Sequence, residues 1–140
     1  MALENVRITS ADVEITPTDL GTFGSRVTFT AGNAVKMAAA DAKRQLFEVV
    51  AGKLEANIDD LEAKGGRVYV KGSPEVGLSI ADAVVEGIMG KGIHILGRGS
   101  YSSPTDPWDY QAGQGNPSPT YSFGAQIAEV EVDPTTGCVD

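Results

Sequence analysis

A glycine-rich loop leads directly into an apolar-periodic segment, and this junction holds the residues best suited to bind a ligand. Residues 21–35 have the sequence Gly-Thr-Phe-Gly-Ser-Arg-Val-Thr-Phe-Thr-Ala-Gly-Asn-Ala-Val. We predict that Ser25 is an N-cap, because a serine hydroxyl can accept a hydrogen bond from a free amide of the first helical turn. Arg26 and Thr28 then gather donors where the helix dipole is positive. The loop glycines allow close approach of the backbone to a ligand. This pattern predicts an anion site, suited to a phosphate or pyrophosphate.

The same stretch is also typical of an ordinary glycine turn that begins a core helix, and the residues alone leave this alternative open. Gly32 would lie inside the helix, where glycine is less favourable than alanine by about 1 kcal/mol. Its presence there favours either a large ligand lying close by or tight packing of the helix against a neighbour.

Composition restricts the classes of function. The chain has 140 residues, room for one domain, and a net charge of −8, which argues against a nucleic-acid partner. Residues 101–140 contain six acidic residues and no Lys or Arg, which indicates a solvated acidic surface. No apolar run is long enough to span a bilayer and no basic-then-apolar leader is present, so we expect a cytoplasmic protein.

A single Cys and a single His exclude several sites. Cys138 cannot form an internal disulfide, and a zinc site of Cys and His ligands cannot be built. A Ser-His-Asp triad would have to use His94. That residue lies in the alternating segment 93–96, which is more typical of one face of a strand.

A long helix is predicted to position the candidate site. It begins near Ser25 or Arg26, after a strand at residues 6–10 and a loop at 12–24. Apolar residues recur at three- and four-residue steps along it. They are Val27, Ala31, Ala34, Val35, Ala38, Ala42, Leu46, Val49, Val50 and Leu54. At about 1.5 Å per residue, the helix would be on the order of 40 Å long.

The middle of the chain is predicted to form a hairpin and a short helix. A connector at residues 57–61 leads to a hairpin whose turn is Lys64-Gly65-Gly66. A second turn is expected at residues 72–75. Ser79 with Asp82 is similar to a capping box, and the helix that it begins is predicted to end at Gly90.

The last third is predicted to contain two strands separated by an irregular loop. The strands are expected at residues 92–100 and 121–132, and the loop between them at 101–119 holds four of the seven prolines. A loop of that length is typically functional or disordered. A turn at 133–137 would lead into a partner strand at 138–140. The whole pattern predicts an α+β fold, with one long and one short helix on a small, mostly antiparallel sheet.

Three motifs in order carry a resemblance to a known family. They are Val6-Arg7-Ile8 with Asp12 and Thr16-Pro17; Gly24-Ser25-Arg26 with Thr28 and Gly32-Asn33-Ala34; and Tyr121-Ser122-Phe123-Gly124-Ala125-Gln126 followed by residues 128–137. Together they resemble the molybdenum-binding large (alpha) subunit of the xanthine dehydrogenase and aldehyde oxidase family. The resemblance implies that residues 1–140 are a partial molybdopterin-binding domain, a fragment of a larger oxidoreductase subunit.

The resemblance also implies which residues hold the cofactor. Gly24 would lie beside the molybdenum ligands, and Ser25, Arg26 and Thr28 would bind the pterin phosphate. The full implied set of cofactor-binding residues is Phe23, Gly24, Ser25, Arg26, Thr28, Gly32 and Asn33. No side chain is expected to ligate the metal, because molybdopterin holds molybdenum through its own dithiolene sulfurs. The family's catalytic glutamate belongs to a downstream motif without a counterpart here, so no catalytic residue is nominated.

Cofactors and partners follow from the same resemblance. The Gly-Ser-Arg form is similar to enzymes that use molybdopterin cytosine dinucleotide, with iron-sulfur clusters and FAD on other subunits or domains. Residues 18–21 with the helix start look most like the 4-hydroxybenzoyl-CoA reductase and carbon monoxide dehydrogenase branches. We expect the isolated fragment to be inactive, to bind no molybdopterin tightly, and either to self-associate through an unpaired edge at residues 121–132 or to be marginally stable. The residues alone leave open a non-catalytic phosphate- or nucleotide-binding module, or an assembly domain that docks through the proline-rich loop.

Overall fold

The computed structural model describes residues 3–10, 12–19 and 21–140. Met1, Ala2, Ala11 and Leu20 lie outside this description, and with Leu20 part of the 18–21 motif. The helical elements are a 3₁₀ turn (Leu3–Asn5), α1 (Val27–Leu54), a second 3₁₀ turn (Ile58–Asp60) and α2 (Ile80–Val85), which continues into a π-helical turn (Glu86–Gly90). The strands are β1 (Leu61–Lys64), β2 (Arg67–Val70), β3 (Ser73–Ser79), β4 (Asp106–Asp109) and β5 (Gln114–Asn116). The predicted α+β class is confirmed.

An antiparallel sheet of order β1-β2-β3 forms around the predicted hairpin. Gly65 and Gly66 form its two-residue loop with φ of 58° and 77°, the left-handed pair that a type I′ turn requires. The turn predicted at 72–75 lies earlier, at residues 71–72 with Gly72 at φ 82°, and β3 begins at Ser73. Pro74 is tolerated there because β3 is an edge strand.

The hydrophobic core lies between the second half of α1, the three-stranded sheet and α2. Its buried residues are Leu46, Phe47, Val50, Ala51, Leu61, Val68 and Ala83. The Ser79 hydroxyl accepts a hydrogen bond from the Asp82 amide at 3.0 Å, which confirms the predicted cap of α2. The predicted stripe of α1 is buried in this second half, whereas in the first half Val27 and Val35 are exposed and the alanines Ala31, Ala34 and Ala38 are half-buried.

The first half of α1 is covered by an extended segment, residues 93–100, which is not the predicted strand. The backbone of this segment lies on the helix: a Cβ on Gly97 would come within 2.1 Å of the Ala38 carbonyl oxygen, and one on Gly99 within 2.2 Å of that of Ala34. Side chains of α1, and not a neighbouring strand, form the hydrogen bonds to the backbone of this segment. Gln45 both donates to the Leu96 carbonyl and accepts from the Leu96 amide, each at 3.0 Å. His94 is consequently exposed and not on a strand face.

The Asp41 carboxylate secures the same segment further along. It accepts from the Arg98 amide at 3.1 Å and from Arg44 at 2.7 Å. The Arg44 guanidinium, and then the Arg98 amide, hold the pKa of Asp41 below its ordinary value of 3.8.

Two further strand predictions are wrong. Residues 6–10 and most of 121–132 have no regular structure and are exposed, because within the described part of the chain no strand lies beside them. The turn at 133–137 is confirmed, since Gly137 donates to the Asp133 carbonyl at 2.8 Å and Val132 bridges Val139. The loop at 101–119 is more regular than predicted, because β4 and β5 form a hairpin within it. Over the described ranges, no helix has the length and apolar character needed to cross a membrane.

The contact of Gly99 with α1 leads to a stability prediction. Gly99→Ala should lower the free energy of unfolding by about 1–3 kcal/mol, because the new methyl group would overlap the Ala34 carbonyl. Gly32→Ala is the matched control: a Cβ there meets nothing within 4 Å, so the helix should gain about 1 kcal/mol. Urea denaturation of both variants measures this. Equal effects of the two substitutions would contradict the packing described.

Asp41 leads to a pH prediction. Because its folded-state pKa lies below 3.8, its contribution to stability is present above the unfolded value and is lost as the pH falls through the lower folded value. Asp41→Ala should therefore be less stable than wild type at neutral pH, and the gap should close below about pH 4. Urea midpoints from pH 7 to pH 3 test this, with exposed Glu129→Ala as the control. A gap that stays constant down to pH 3 would exclude the proposed linkage.

Candidate functional site

A cavity of about 500 Å³ opens at the start of α1. One side is the loop that precedes the helix, and the other is formed by the two ends of the segment that contains the β4–β5 hairpin. The lining residues are Phe23, Gly24 and Arg26 on the first side, and Tyr101, Ser102, Ser103, Thr105, Pro117, Ser118 and Pro119 on the second. The cavity therefore joins stretches of chain that are 75 to 96 positions apart in sequence.

The loop before α1 turns sharply enough to expose the helix start. Gly21, Gly24 and Ser25 have φ of 90°, 58° and 56°, all left-handed. The predicted N-cap at Ser25 is wrong. The helix begins at Val27, so Arg26 occupies the capping position with helical φ and makes no side-chain cap, and Ser25 lies one residue too early. No side chain of the capping residue therefore satisfies the first-turn amides, which leaves them available to another acceptor.

Arg26 is held over the loop without an acidic partner. Its guanidinium lies 4.7 Å from the centre of the Phe23 ring, a cation–π contact, and donates to the Gly21 carbonyl at 3.5 Å. Among the described residues it makes no ion pair. Since the guanidinium is positively charged, it can pair with an anion that enters the cavity.

The second side of the cavity is fastened to the first. The Thr120 hydroxyl donates to the Gly24 carbonyl at 2.9 Å, and the Ser118 and Thr120 hydroxyls lie 3.3 Å apart. At the other end of the segment, the Tyr101 ring meets Phe29 of α1 edge to face, with centroids 5.6 Å apart. These contacts set the width of the cavity by linking both ends of the segment to the helix start.

The lining has the chemistry of an anion site. It contains one cation, Arg26, and five residues with hydroxyl groups, and none of its residues is acidic. Its volume lies within the range of about 300–1,000 Å³ that is typical of small-molecule and cofactor sites. In the described ranges, no three His, Cys, Asp or Glu residues come together so as to hold a metal ion. The donors thus fit the phosphate groups of an organic ligand.

The sequence-predicted site residues divide into two groups. Phe23, Gly24 and Arg26 line the cavity, whereas Ser25 and Thr28 are exposed beside it. Gly32 is exposed one to two turns further along the helix, and Asn33 donates to the Phe29 carbonyl at 2.7 Å.

The hydroxyl-bearing residues of the second side were not predicted. Proline and hydroxyl-bearing residues are interspersed at 102–105 and 117–120. The length of the loop at 101–119 indicated a functional segment, but it did not indicate which of its residues face the helix start.

Comparison with known proteins identifies relatives over the full length of the chain. The family of molybdopterin cofactor-binding domains matches residues 1–140. The carbon monoxide dehydrogenase large chain of Afipia carboxidovorans is 31% identical over 140 residues, which cover 96% of this chain and 16% of the relative. The corresponding chain of Hydrogenophaga pseudoflava is 30% identical over 140 residues, with the same shares covered. The 6-hydroxypseudooxynicotine dehydrogenase complex subunit gamma of Paenarthrobacter nicotinovorans is 30% identical over 148 residues, covering 98% and 16%.

Solved structures of related enzymes are similar to this chain as well. A Cu,Mo-containing CO dehydrogenase in its carbon monoxide-reduced state superposes with a TM-score of 0.57 and 30% identity, over 66% of this chain and 12% of that one. The reconstituted CO dehydrogenase from Oligotropha carboxidovorans gives the same values. The chain thus spans about a sixth of the length of the curated relatives that it matches.

Proposed function

The chain belongs to the family of molybdopterin cofactor-binding domains, and on that premise we propose that the cavity at the start of α1 holds the phosphate-bearing part of the cofactor. The observation that carries the proposal is the position of Arg26, a guanidinium without an acidic partner among the described residues, at the mouth of a cavity lined by hydroxyl groups. The family membership expected from the sequence is confirmed, and the roles of individual residues are our proposal.

Each site residue has a distinct proposed role. Arg26 pairs with a phosphate oxygen, and the exposed amides at the start of α1 donate to the same group. Gly24, with φ of 58°, brings the backbone close to the ligand where a side chain would be strained. Ser25 and Thr28 flank the phosphate, Phe23 supports the guanidinium, and Gly32 with Asn33 borders the ligand further along the helix.

The cytosine dinucleotide form of molybdopterin is the form that we propose. A dinucleotide carries a pyrophosphate, and a cavity with one arginine and several hydroxyl donors suits such a group. When bound, the cofactor supplies the redox chemistry of the reaction. The residues of this chain bind and orient it, and iron-sulfur clusters and FAD are proposed to lie on other subunits or domains.

The whole protein is proposed to be a molybdenum-dependent oxidoreductase, with residues 1–140 as part of its cofactor-binding domain. The sequence favoured two branches of the family. Similarity to two carbon monoxide dehydrogenase large chains supports the carbon monoxide dehydrogenase branch of these two. The 4-hydroxybenzoyl-CoA reductase branch stays a prediction, as do the alternatives of a phosphate-binding module and an assembly domain.

The exposed tail supports a further partner, the remainder of the large subunit. Phe123 and Ile127 are 96% and 97% exposed, on alternate positions of an extended stretch, as they would be on one face of a strand. The backbone of residues 121–130 makes no hydrogen bond to another backbone group in the described ranges. The relatives' additional length could supply a strand that pairs with it.

The cofactor proposal predicts a loss of molybdenum from an arginine variant. In the complete large subunit, purified with its partner subunits, Arg26→Ala should lower molybdenum and released cytidine monophosphate by about tenfold, because a charge-assisted contact to phosphate is removed. Elemental analysis and nucleotide release after acid hydrolysis measure the two quantities. Lys36→Ala removes a positive charge from the exposed face of α1, outside the lining of the cavity, and serves as the control. Wild-type occupancy in Arg26→Ala would refute the site, and a wild type without any pterin would indicate the phosphate-binding module instead.

The tail proposal predicts protection of the backbone in the complete subunit. Amides of residues 121–130 should exchange hydrogen at least about tenfold more slowly there than in a peptide of the same sequence. Hydrogen–deuterium exchange followed by mass spectrometry reports this. Ile127→Asp should remove the protection, and Ser122→Asp, on the opposite face of such a strand, should retain it. Exchange at the peptide rate, or protection that arises only when other subunits bind, would show that the partner is not the large subunit itself.

A further inference from the structure

The Ser103 hydroxyl is unusual among the buried polar groups. Within the described residues it is the one buried side-chain oxygen or nitrogen without a hydrogen-bond partner. Burying a hydroxyl without a partner is unfavourable, so such a group in a folded protein calls for an explanation. The neighbouring hydroxyls of Ser118 and Thr120, by contrast, are paired with each other and with backbone carbonyls.

The position of Ser103 supplies the explanation. It lines the same cavity as Arg26, in a segment that is fixed by the contact of Tyr101 with Phe29 and by the backbone of Gly99 lying against Ala34. The segment is therefore held in place without the hydroxyl. A serine hydroxyl can move between staggered rotamers, so a change of χ1 rotamer can present it to a ligand in the cavity.

The residues that line the cavity indicate which class of ligand the Ser103 hydroxyl would contact. A hydroxyl can serve a cation, a sugar or an anion, but Arg26 lines the same cavity and no lining residue is acidic. A phosphate oxygen accepts hydrogen bonds from hydroxyl and guanidinium groups together, and each such bond is strengthened by the charge of the acceptor.

We infer that Ser103 is a ligand-binding residue that donates its hydroxyl to a phosphate of the bound cofactor, from the second side of the cavity that Arg26 lines. This inference rests on the proposed function. It assigns the recognition of the phosphate to two separate stretches of the chain: the loop before α1 and the segment that follows residues 93–100. The cofactor thereby links these two stretches, and its loss loosens the contact between them.

The test compares variants in the complete large subunit with its partner subunits. Ser103→Ala removes the hydroxyl, Ser103→Cys keeps a similar shape with only a weak donor, and Ser100→Ala is an exposed control three residues away. We expect both Ser103 variants to lose cofactor about tenfold faster than wild type. The Ser100 variant should match wild type. Release is followed by the fluorescence of the oxidised pterin and by cytidine monophosphate, neither of which depends on turnover.

A second measurement separates binding from folding. In protein expressed without the cofactor, Ser103→Ala should unfold at the same temperature as wild type or higher, because the hydroxyl has no partner to lose. Lower thermal stability of the cofactor-free variant would show that the hydroxyl is structural and would overturn the inference. Wild-type retention in both Ser103 variants, beside rapid loss from Arg26→Ala, would overturn it too and leave the proposed function standing. Wild-type retention in all three would remove both.

Discussion

The site depends on the close contact between the backbone of residues 93–100 and the first half of α1. Gly97 and Gly99 admit this contact, and Gln45 and Asp41 supply the hydrogen bonds that a neighbouring strand would otherwise provide. The segment continues directly into Tyr101, so its position on the helix determines where the second side of the cavity lies. A helix face composed largely of alanine is what permits such an approach, since larger side chains would hold the backbone away.

Electrostatics distinguish this cavity from the rest of the molecule. The chain carries a net charge of −8, and its last forty residues contain no Lys or Arg. The cavity nevertheless has an arginine and hydroxyl groups in its lining and no acidic residue. The negative charge of the surface would repel an anion, whereas Arg26 in the cavity would attract it. The charge distribution therefore favours this cavity over other positions for an anion. Screening at physiological ionic strength limits that repulsion to about 8 Å.

The features that were predicted correctly from the sequence were mostly those set by neighbouring residues. The Gly65-Gly66 turn and the Ser79 cap follow from rules that act over a few residues, and both were confirmed. The strands at 92–100 and 121–132 were wrong because a strand needs a neighbour, which alternation alone does not reveal. The N-cap was predicted one residue too early, at Ser25, because the left-handed φ that excludes this residue from the capping position depends on the whole loop. The lining residues after Tyr101 could not be predicted, because only tertiary packing brings them to the helix start.

The loop before α1 is held in a strained conformation by contacts that do not involve a ligand. A left-handed serine is disfavoured by roughly 1–2 kcal/mol, and such strain persists where the surroundings fix it. Here the Thr120 hydroxyl holds the Gly24 carbonyl, and the Phe23 ring holds the Arg26 side chain. The donors are thus arranged before a ligand arrives, and binding has less conformational freedom to remove. If the proposed anion binds at Arg26, the strain at Ser25 is offset by that binding, and relief of the strain would be expected to loosen the site.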